Sequence, residues 1–215
     1  ISSMLDFPLE GLKGVGPKSL MAFKSLGIHT LKDILFHLPQ RYEDRTRITP
    51  IAVARPGDKV LIDVTVLSGS VQYAKRRFLL CRVSDDSGEC LLRFFHFSAA
   101  QIEQLTKVGQ SIRCFGEIRA GFRGGLEMVH PEYRVKERAN ELVLNDSLTP
   151  IYPTIKQLTQ VTWRKCMQQA LSALQLGKNS LTEYLPAFAI QPFNGLSLAD
   201  ALLFLHQPPP EVDLD

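Results

Sequence analysis

The sequence lacks the features of a membrane protein, a secreted disulfide protein or a metalloprotein. Its four cysteines have unrelated spacings with no Cys-x-x-Cys pair, and its five histidines are scattered over different predicted elements. This distribution argues against disulfides and a metal site, and indicates a reduced, cytosolic chain. No apolar run approaches the roughly 20 residues that a membrane-spanning helix needs, and there is no signal peptide.

Motifs of the common catalytic classes are also missing. The sequence contains no G-x-x-x-x-G-K-[ST] phosphate loop, no G-x-S-x-G, no H-E-x-x-H and no kinase signature. We therefore expect no catalytic residue within these 215 residues. A net charge of +3 indicates nucleic-acid binding only weakly, unless the cations cluster in space.

Residues 58–135 show the clearest structural pattern. Period-two alternation in the first segment, with Val60, Ile62, Val64 and Val66 on one face, predicts a half-buried strand, and an Asp-Asp-Ser-Gly turn at 85–88 predicts a hairpin. The order is strand, strand, strand, helix, strand, strand, at 58–67, 77–83, 89–95, 98–108, 111–119 and 126–135. This order predicts an α+β chain built around an OB-fold, a five-stranded Greek-key β-barrel.

Helical segments flank the predicted barrel on both sides. Residues 1–57 are predicted as a helical segment, partly resembling a helix-hairpin-helix, followed by an extended strap, and 136–215 as a connector with C-terminal helices. The predicted helices are 7–12, 18–26, 31–38, 160–176, 181–185 and 196–206. The start at Ile1 and the stiff run Pro208–Pro210 indicate a fragment of a longer protein.

Aromatic and basic residues alternate along the predicted barrel. Phe95 and Phe97 follow the third strand on what we expect to be one outer face, where flat rings beside an arginine suit base stacking. The alternative is that both rings pack beneath the flanking helices. The cations expected to hold phosphates are Lys75, Arg76, Arg77, Arg93, Arg119 and Arg123. OB-folds bind oligonucleotides at the loop between their first two strands, where the first three of these lie, although a solvated turn is the alternative.

Several strings, in order along nearly the whole chain, resemble one family. They are Gly14-Val15-Gly16, His37–Pro39 with Arg41–Arg45, Arg93–Phe97, His130–Tyr133, Leu148–Thr154 and Leu205–Pro210. Together they resemble the N-terminal region of RecG-type branched-DNA helicases. The resemblance implies an ATP-dependent, superfamily-2 helicase that remodels stalled replication forks and Holliday junctions in DNA repair and recombination, with an OB-fold wedge domain at the branch point.

The resemblance also implies which parts of the activity this chain holds. The motor domains that bind ATP and Mg²⁺ are absent, so we expect no cofactor here and only the DNA-binding role. Aromatic wedge residues cap bases where strands part, and the matching positions are Phe95 first and Phe97 second. The implied partners are branched DNA and single-stranded DNA at the junction, with a single-strand-binding protein as a further candidate. The implied state is a monomer in the bacterial cytoplasm, associated with the nucleoid.

Two other functions are compatible with the same residues. One is a free-standing OB protein that binds single-stranded DNA without preferring junctions. The other is an OB domain that binds proteins through its phenylalanines. Salt distinguishes the second from DNA binding, because affinity that depends on several cation–phosphate contacts falls steeply as salt rises.

Overall fold

Residues 44–146 and the segments on either side of them pack around separate apolar cores. The computed structural model describes residues 4–137, 144–176 and 197–212. We call residues 1–43 with 147–215 the helical unit, and 44–146 the barrel unit. The three-part division drawn from the sequence, at residues 57 and 135, stays a prediction.

The elements are numbered here in chain order. The α-helices are α1 (Pro17–Ser25), α2 (Leu31–Leu35), α3 (Ala99–Thr106), α4 (Gln160–Leu176) and α5 (Leu198–His206). The strands are β1 (Arg41–Glu43), β2 (Lys59–Tyr73), β3 (Arg77–Ser84), β4 (Glu89–Phe94), β5 (Ser111–Glu117), β6 (Arg119–Ala120), β7 (Leu126–Val129), β8 (Glu132–Val135) and β9 (Thr149–Ile151). Short 3-10 turns occur at Met4–Asp6, Leu9–Gly11, Ile51–Val53 and Phe122–Gly124.

The helical unit packs around Trp163, which is fully buried in α4. The ring of Phe23 meets the indole edge-on at 4.9 Å, and the ring of His37 stacks on it at 4.0 Å. Strands β1 and β9 pair antiparallel, which ties the start of the strap to the segment that follows the barrel unit. The sequence did not predict this pairing.

Helix ends in this unit follow the capping residues. Thr30 and Asp33 form a reciprocal capping box at the start of α2, which ends at Leu35 rather than at the predicted residue 38. Gly27 has a φ of 76° just after α1, where glycine is favoured. The helix predicted over 7–12 is only a 3-10 turn, which weakens the helix-hairpin-helix interpretation.

Two further helices predicted for this unit lie near the end of the chain. The predicted helix at 196–206 is α5, which begins at Leu198. The predicted helix at 181–185 lies outside the described residues.

The barrel unit contains one curled, seven-stranded sheet in the order β6-β7-β4-β3-β2-β5-β8. The segment predicted as one final strand is divided: β7 pairs parallel with β4, whereas β8 pairs antiparallel with β5. Only His130 and Pro131 join the two halves, so one continuous segment pairs with β4 towards one end of the strand order and with β5 at the other. This closure confirms the predicted OB-fold, with its fourth and fifth strands each broken in two.

The barrel core is formed by the alternating faces that the sequence predicts. Val60, Ile62, Val64 and Val66 of β2 are all buried in it, and so is Phe94. The cysteines are small core residues: burial raises the pKa of the Cys81 thiol to about 12 and that of Cys90 to about 11. Thiols held protonated in this way are poor nucleophiles.

Strand β2 extends well past the predicted end at residue 67. A bulge between Val66 and Ser68 shifts its register, and pairing with β3 then continues to Tyr73 opposite Arg77. The result is a hairpin arm, residues 67–83, which ends in the bend Ala74–Arg76. Helix α3 passes so close to this arm that a Cβ on Gly69 would lie 2.2 Å from the carbonyl oxygen of Leu105.

An ion-pair network around Asp63, on the opposite face of β2, makes the stability of the barrel unit depend on pH. Arg113 donates two hydrogen bonds to the Asp63 carboxylate, at 2.6 and 2.9 Å, and Lys136 donates a third. Burial by itself raises the pKa of Asp63, but the bonds from Arg113 and Lys136 outweigh it and lower the pKa below its usual 3.8.

We expect Asp63→Asn to lower the free energy of unfolding at pH 7, because it removes the carboxylate from this group. The folded-state pKa is depressed, so the carboxylate's contribution is complete above the unfolded value of 3.8 and is lost as the pH falls through the lower folded value. The difference between wild type and variant should therefore shrink below about pH 4 in urea titrations. A difference independent of pH would contradict this role for Asp63.

Candidate nucleic-acid interface

The tip of the hairpin arm places two consecutive arginines over two phenylalanine rings. The guanidinium carbon of Arg76 lies 4.0 Å from the ring centre of Phe95, and that of Arg77 lies 4.7 Å from the ring centre of Phe97. Both are cation–π distances. The bend at the arm tip and the end of β4 are thereby brought together.

Phe78 extends this arrangement on the outer side of the sheet. Its ring lies 6.1 Å from that of Phe95, and the guanidinium of Arg93 lies 4.8 Å from its centre. We call Arg76, Arg77, Phe78, Phe95 and Phe97 the arginine–phenylalanine cluster. Its rings are neither fully buried nor bare, because each is partly covered by a guanidinium group.

The two predicted stacking residues differ in their surroundings. Phe95 is partly exposed and contacts Phe78, Arg76 and His130. Phe97 packs against the apolar core of the barrel instead, so the expectation that both rings share one outer face is wrong. The reason is that β4 ends at Phe94, and the strict alternation of a strand does not continue through the bend that follows.

Arg93 is already paired. Its guanidinium lies 3.2 Å from the carboxylate of Glu127 on β7, and both side chains are largely buried. The Arg93 charge is therefore balanced within the protein. The side chain supports the cluster from beneath through its contact with Phe78.

Lys75 is exposed at the arm tip, next to Arg76 and Arg77. Among the residues that the structure describes, none of these three cations forms an ion pair with a carboxylate. Like charges this close repel one another in water unless an outside anion neutralises them. The arm tip is consequently suited to bind an anionic partner.

Arg119 and Arg123 lie at a second place on the barrel, the hairpin between β6 and β7. Arg119 pairs with Glu127 of β7, and Glu127 in turn pairs with Leu91 in the first half of β4. The arm tip lies instead at the other end of β4. Phe122 at this turn is 82% exposed, with the Arg123 guanidinium 5.5 Å from its ring centre. The structure therefore forms two basic–aromatic tips at opposite ends of one strand, rather than one group.

His130 contacts Phe95 of the cluster, although the sequence indicated no role for it. Its backbone N–H donates to the carbonyl of Arg93 at 2.8 Å, and its Nε2 accepts from the backbone N–H of Phe95 at 3.0 Å. The ring of His96 stacks on it at 5.8 Å. Burial, followed by the nearby His96 and Arg76, lowers the pKa of His130. The string His130-Pro131 was the available signal, because proline interrupts a strand ladder.

Metal sites and membrane spans are both missing from the described ranges. Within residues 4–137, 144–176 and 197–212, no three or more His, Cys, Asp or Glu side chains are grouped so that they could hold a metal ion. None of the helices in those ranges has the length and apolar character that crossing a membrane requires.

Comparison with known proteins identifies the family. The model of the RecG wedge domain matches residues 8–174. The ATP-dependent DNA helicase RecG of Pasteurella multocida is 42% identical over 97% of this chain, and that of Escherichia coli K12 is 39% identical over 96%; the match covers 29% of each relative. A solved structure of RecG bound to a three-way DNA junction superposes with a TM-score of 0.72 at 27% identity, covering 97% of this chain and 28% of that one.

These matches run through both units and include the arm and the cluster. The chain spans less than a third of the length of the curated relatives it matches. Since the family model covers well over half of the sequence and the relatives align along nearly all of it, the chain belongs to the RecG wedge domain family.

Proposed function

We propose that this chain is the branched-DNA-binding wedge of an ATP-dependent DNA helicase that remodels stalled forks and Holliday junctions. The observation that supports it best is the arginine–phenylalanine cluster, with guanidinium groups 4.0 and 4.7 Å above the rings of Phe95 and Phe97. Flat rings and planar cations bind unpaired bases and phosphates without reading sequence. A surface of this composition fits the point where two strands part.

Base stacking on Phe95 is energetically feasible even though Arg76 covers the ring. An exposed cation–π contact is worth about 0.5–1 kcal/mol, whereas a base stacked on an aromatic side chain is worth about 1–3 kcal/mol. A base can therefore displace the guanidinium, which then lies beside the adjoining phosphate. A base can also stack on the outer plane of the guanidinium itself.

The free energy of base stacking also explains how a passive wedge assists strand separation. Opening DNA costs about 1.4 kcal/mol per base-pair step. One base captured on Phe95 returns a comparable amount, so the ring holds open a step that a motor has already drawn against it. The wedge supplies no directionality; in this proposal, movement comes from the parts of the helicase that lie outside this chain.

Phosphate binding is assigned to the exposed cations Lys75, Arg76, Arg77, Arg119 and Arg123. Arg93 is given the supporting role instead, because its charge is already paired with Glu127. ATP and Mg²⁺ belong, in this proposal, to the motor domains. The sequence of this chain contains no phosphate loop.

The function is tested by measuring affinity for a three-way junction, a linear duplex and a single strand at matched salt. We expect the junction to bind most tightly, and its log affinity to fall linearly with log salt. The double variant Arg76→Ala/Arg77→Ala should reduce that slope by about 2, or about 1 for each arginine that no longer neutralises a phosphate.

Arg47→Ala is the matched control, because Arg47 is an exposed arginine of the same unit that pairs with Asp44 instead of covering a ring. It should leave both affinity and slope unchanged. Equal affinity for junction and single strand would favour a plain single-strand-binding protein. Insensitivity to salt would favour a protein-binding module.

A further inference from the structure

The end of strand β4 contains an unusual hydrogen bond. Arg93 lies opposite Val129 in the parallel pairing of β4 with β7, and the N–H of His130 donates to the carbonyl of Arg93. In a continuing parallel ladder, the next donor on β4 is the N–H of Phe95, and its acceptor is the carbonyl of His130. Here the N–H of Phe95 donates to the His130 side chain instead of to the His130 carbonyl.

The replacement follows from the backbone of His130. Its φ is +49°, in the left-handed region, so the chain turns away from β4 and leads into Pro131 and β8. The turn carries the carbonyl of His130 away from the ladder. The imidazole occupies the vacant place, and its Nε2 accepts the Phe95 N–H at 3.0 Å.

We propose that His130 is a positioning residue that holds the backbone of Phe95 and thereby sets the ring against Arg76 for base stacking. The proposal rests on the proposed function, since it assigns the support of the same stacking ring. One residue then does both: the backbone of His130 makes the turn that closes the barrel, and its imidazole holds the backbone of Phe95. His130 itself is not expected to touch DNA.

The hydrogen bond from the Phe95 N–H to His130 requires one protonation state of the imidazole. An imidazole accepts at Nε2 only when it is neutral and carries its proton on Nδ1. The charged or titratable groups that face this ring are His96, which follows β4, and Arg76 at the arm tip. Both disfavour a second positive charge, so the accepting form prevails at neutral pH and is lost on acidification.

Two substitutions separate positioning from general stability. His130→Gly removes the acceptor but adopts a positive φ without strain, so the barrel should still close. His130→Gln places an amide oxygen at about the reach of Nε2, which restores an acceptor that does not titrate. His96→Gln is the matched control, because it removes the stacked neighbour and leaves the bond to Phe95 in place.

The first measurement is hydrogen exchange of the Phe95 amide in the full 215-residue chain, without DNA. We expect protection in the wild type at pH 7.5, its loss in His130→Gly, and its recovery in His130→Gln. On acidification the protection factor should fall in the wild type but not in the glutamine variant. Unchanged protection in the glycine variant overturns the proposal.

The second measurement is affinity for a three-way junction at pH 7.5. Freeing one side chain that must be immobilised on binding should weaken affinity about three- to tenfold in His130→Gly, with recovery in His130→Gln. Full affinity in a glycine variant whose Phe95 amide is unprotected also overturns the proposal. If Phe95→Ala itself leaves junction binding unchanged, Phe95 is not the stacking ring of the proposed function, while the exchange result still decides whether His130 holds Phe95.

Discussion

Replacing Phe95 with alanine is expected to weaken binding to a three-way junction by about 5- to 150-fold, the equivalent of about 1–3 kcal/mol for one lost stacked base. The unfolding temperature should barely change, because the ring is partly exposed and lies outside the barrel core. Fluorescence anisotropy with a labelled junction measures the first quantity, and thermal unfolding followed by circular dichroism measures the second.

Phe97→Ala provides the contrast within the same cluster. Because Phe97 packs against the barrel core, its loss should lower stability, by up to about 3 kcal/mol, in addition to any effect on DNA. Phe7→Ala is the control, since Phe7 is an exposed phenylalanine of the helical unit and should alter neither quantity much. If Phe95→Ala bound the junction as tightly as wild type, this ring would not be the stacking residue.

Gly69→Ala is expected to produce the largest loss of stability for the addition of a single carbon. The new Cβ would lie 2.2 Å from the carbonyl oxygen of Leu105 and 2.9 Å from the Cα of Thr106. Both atoms belong to the backbone of α3, so no side-chain rotation relieves the overlap and the helix must move. Overpacking of this kind costs about 1–3 kcal/mol, and more when the backbone must shift.

Thermal unfolding should show this loss as a lower midpoint, by about 4–8 °C for each kcal/mol in a domain of this size. Gly125→Ala is the matched control in the same unit: its Cβ would meet no heavy atom within 4 Å, and its φ of −76° suits any residue. The control should unfold at the wild-type temperature. Equal midpoints for the two variants would mean that α3 does not approach the arm as closely as described.

Much of the barrel follows from local patterns in the sequence. The alternation of Val60, Ile62 and Val64 predicts which face of β2 is buried, and the structure buries these residues. Asp85 accepts hydrogen bonds from Ser87 and Gly88 in the predicted hairpin turn. Signals of this kind depend on neighbours in sequence, which is why they can be recognised in a single chain.

The parts that the sequence does not reveal depend on long-range geometry. The arm beyond Val66 alternates again, with Leu67 and Val71 less exposed than Ser68 and Ser70, but its phase differs by one residue from that of the preceding segment, which is where the predicted strand stopped. A bulge then shifts the register, which determines where Arg76 and Arg77 come to lie. Their contacts with Phe95 and Phe97 join segments about 20 residues apart, and the antiparallel pairing of β3 with β4, in which Leu79 lies opposite Phe94, brings them together.

The strap also shows why local charge patterns are ambiguous. Its mixed signs around Arg41–Arg47 are compatible with either a binding surface or internal pairing. In the structure Arg45 pairs with Glu132 and lies 4.0 Å from the ring centre of Phe115, while Arg47 pairs with Asp44. Arg45 meets partners that are remote in sequence, which no local pattern could predict, whereas Arg47 pairs with a residue only three positions away.

The guanidinium groups that lie over the rings of Phe95 and Phe97 also affect solubility. Uncovered rings on a protein surface invite copies of the molecule to adhere to one another. With a hydrated cation resting on each ring, two molecules that approach through this region meet positive charge before hydrocarbon, and they repel. In the proposed function, the rings would therefore stay available to a base at high protein concentration without causing aggregation.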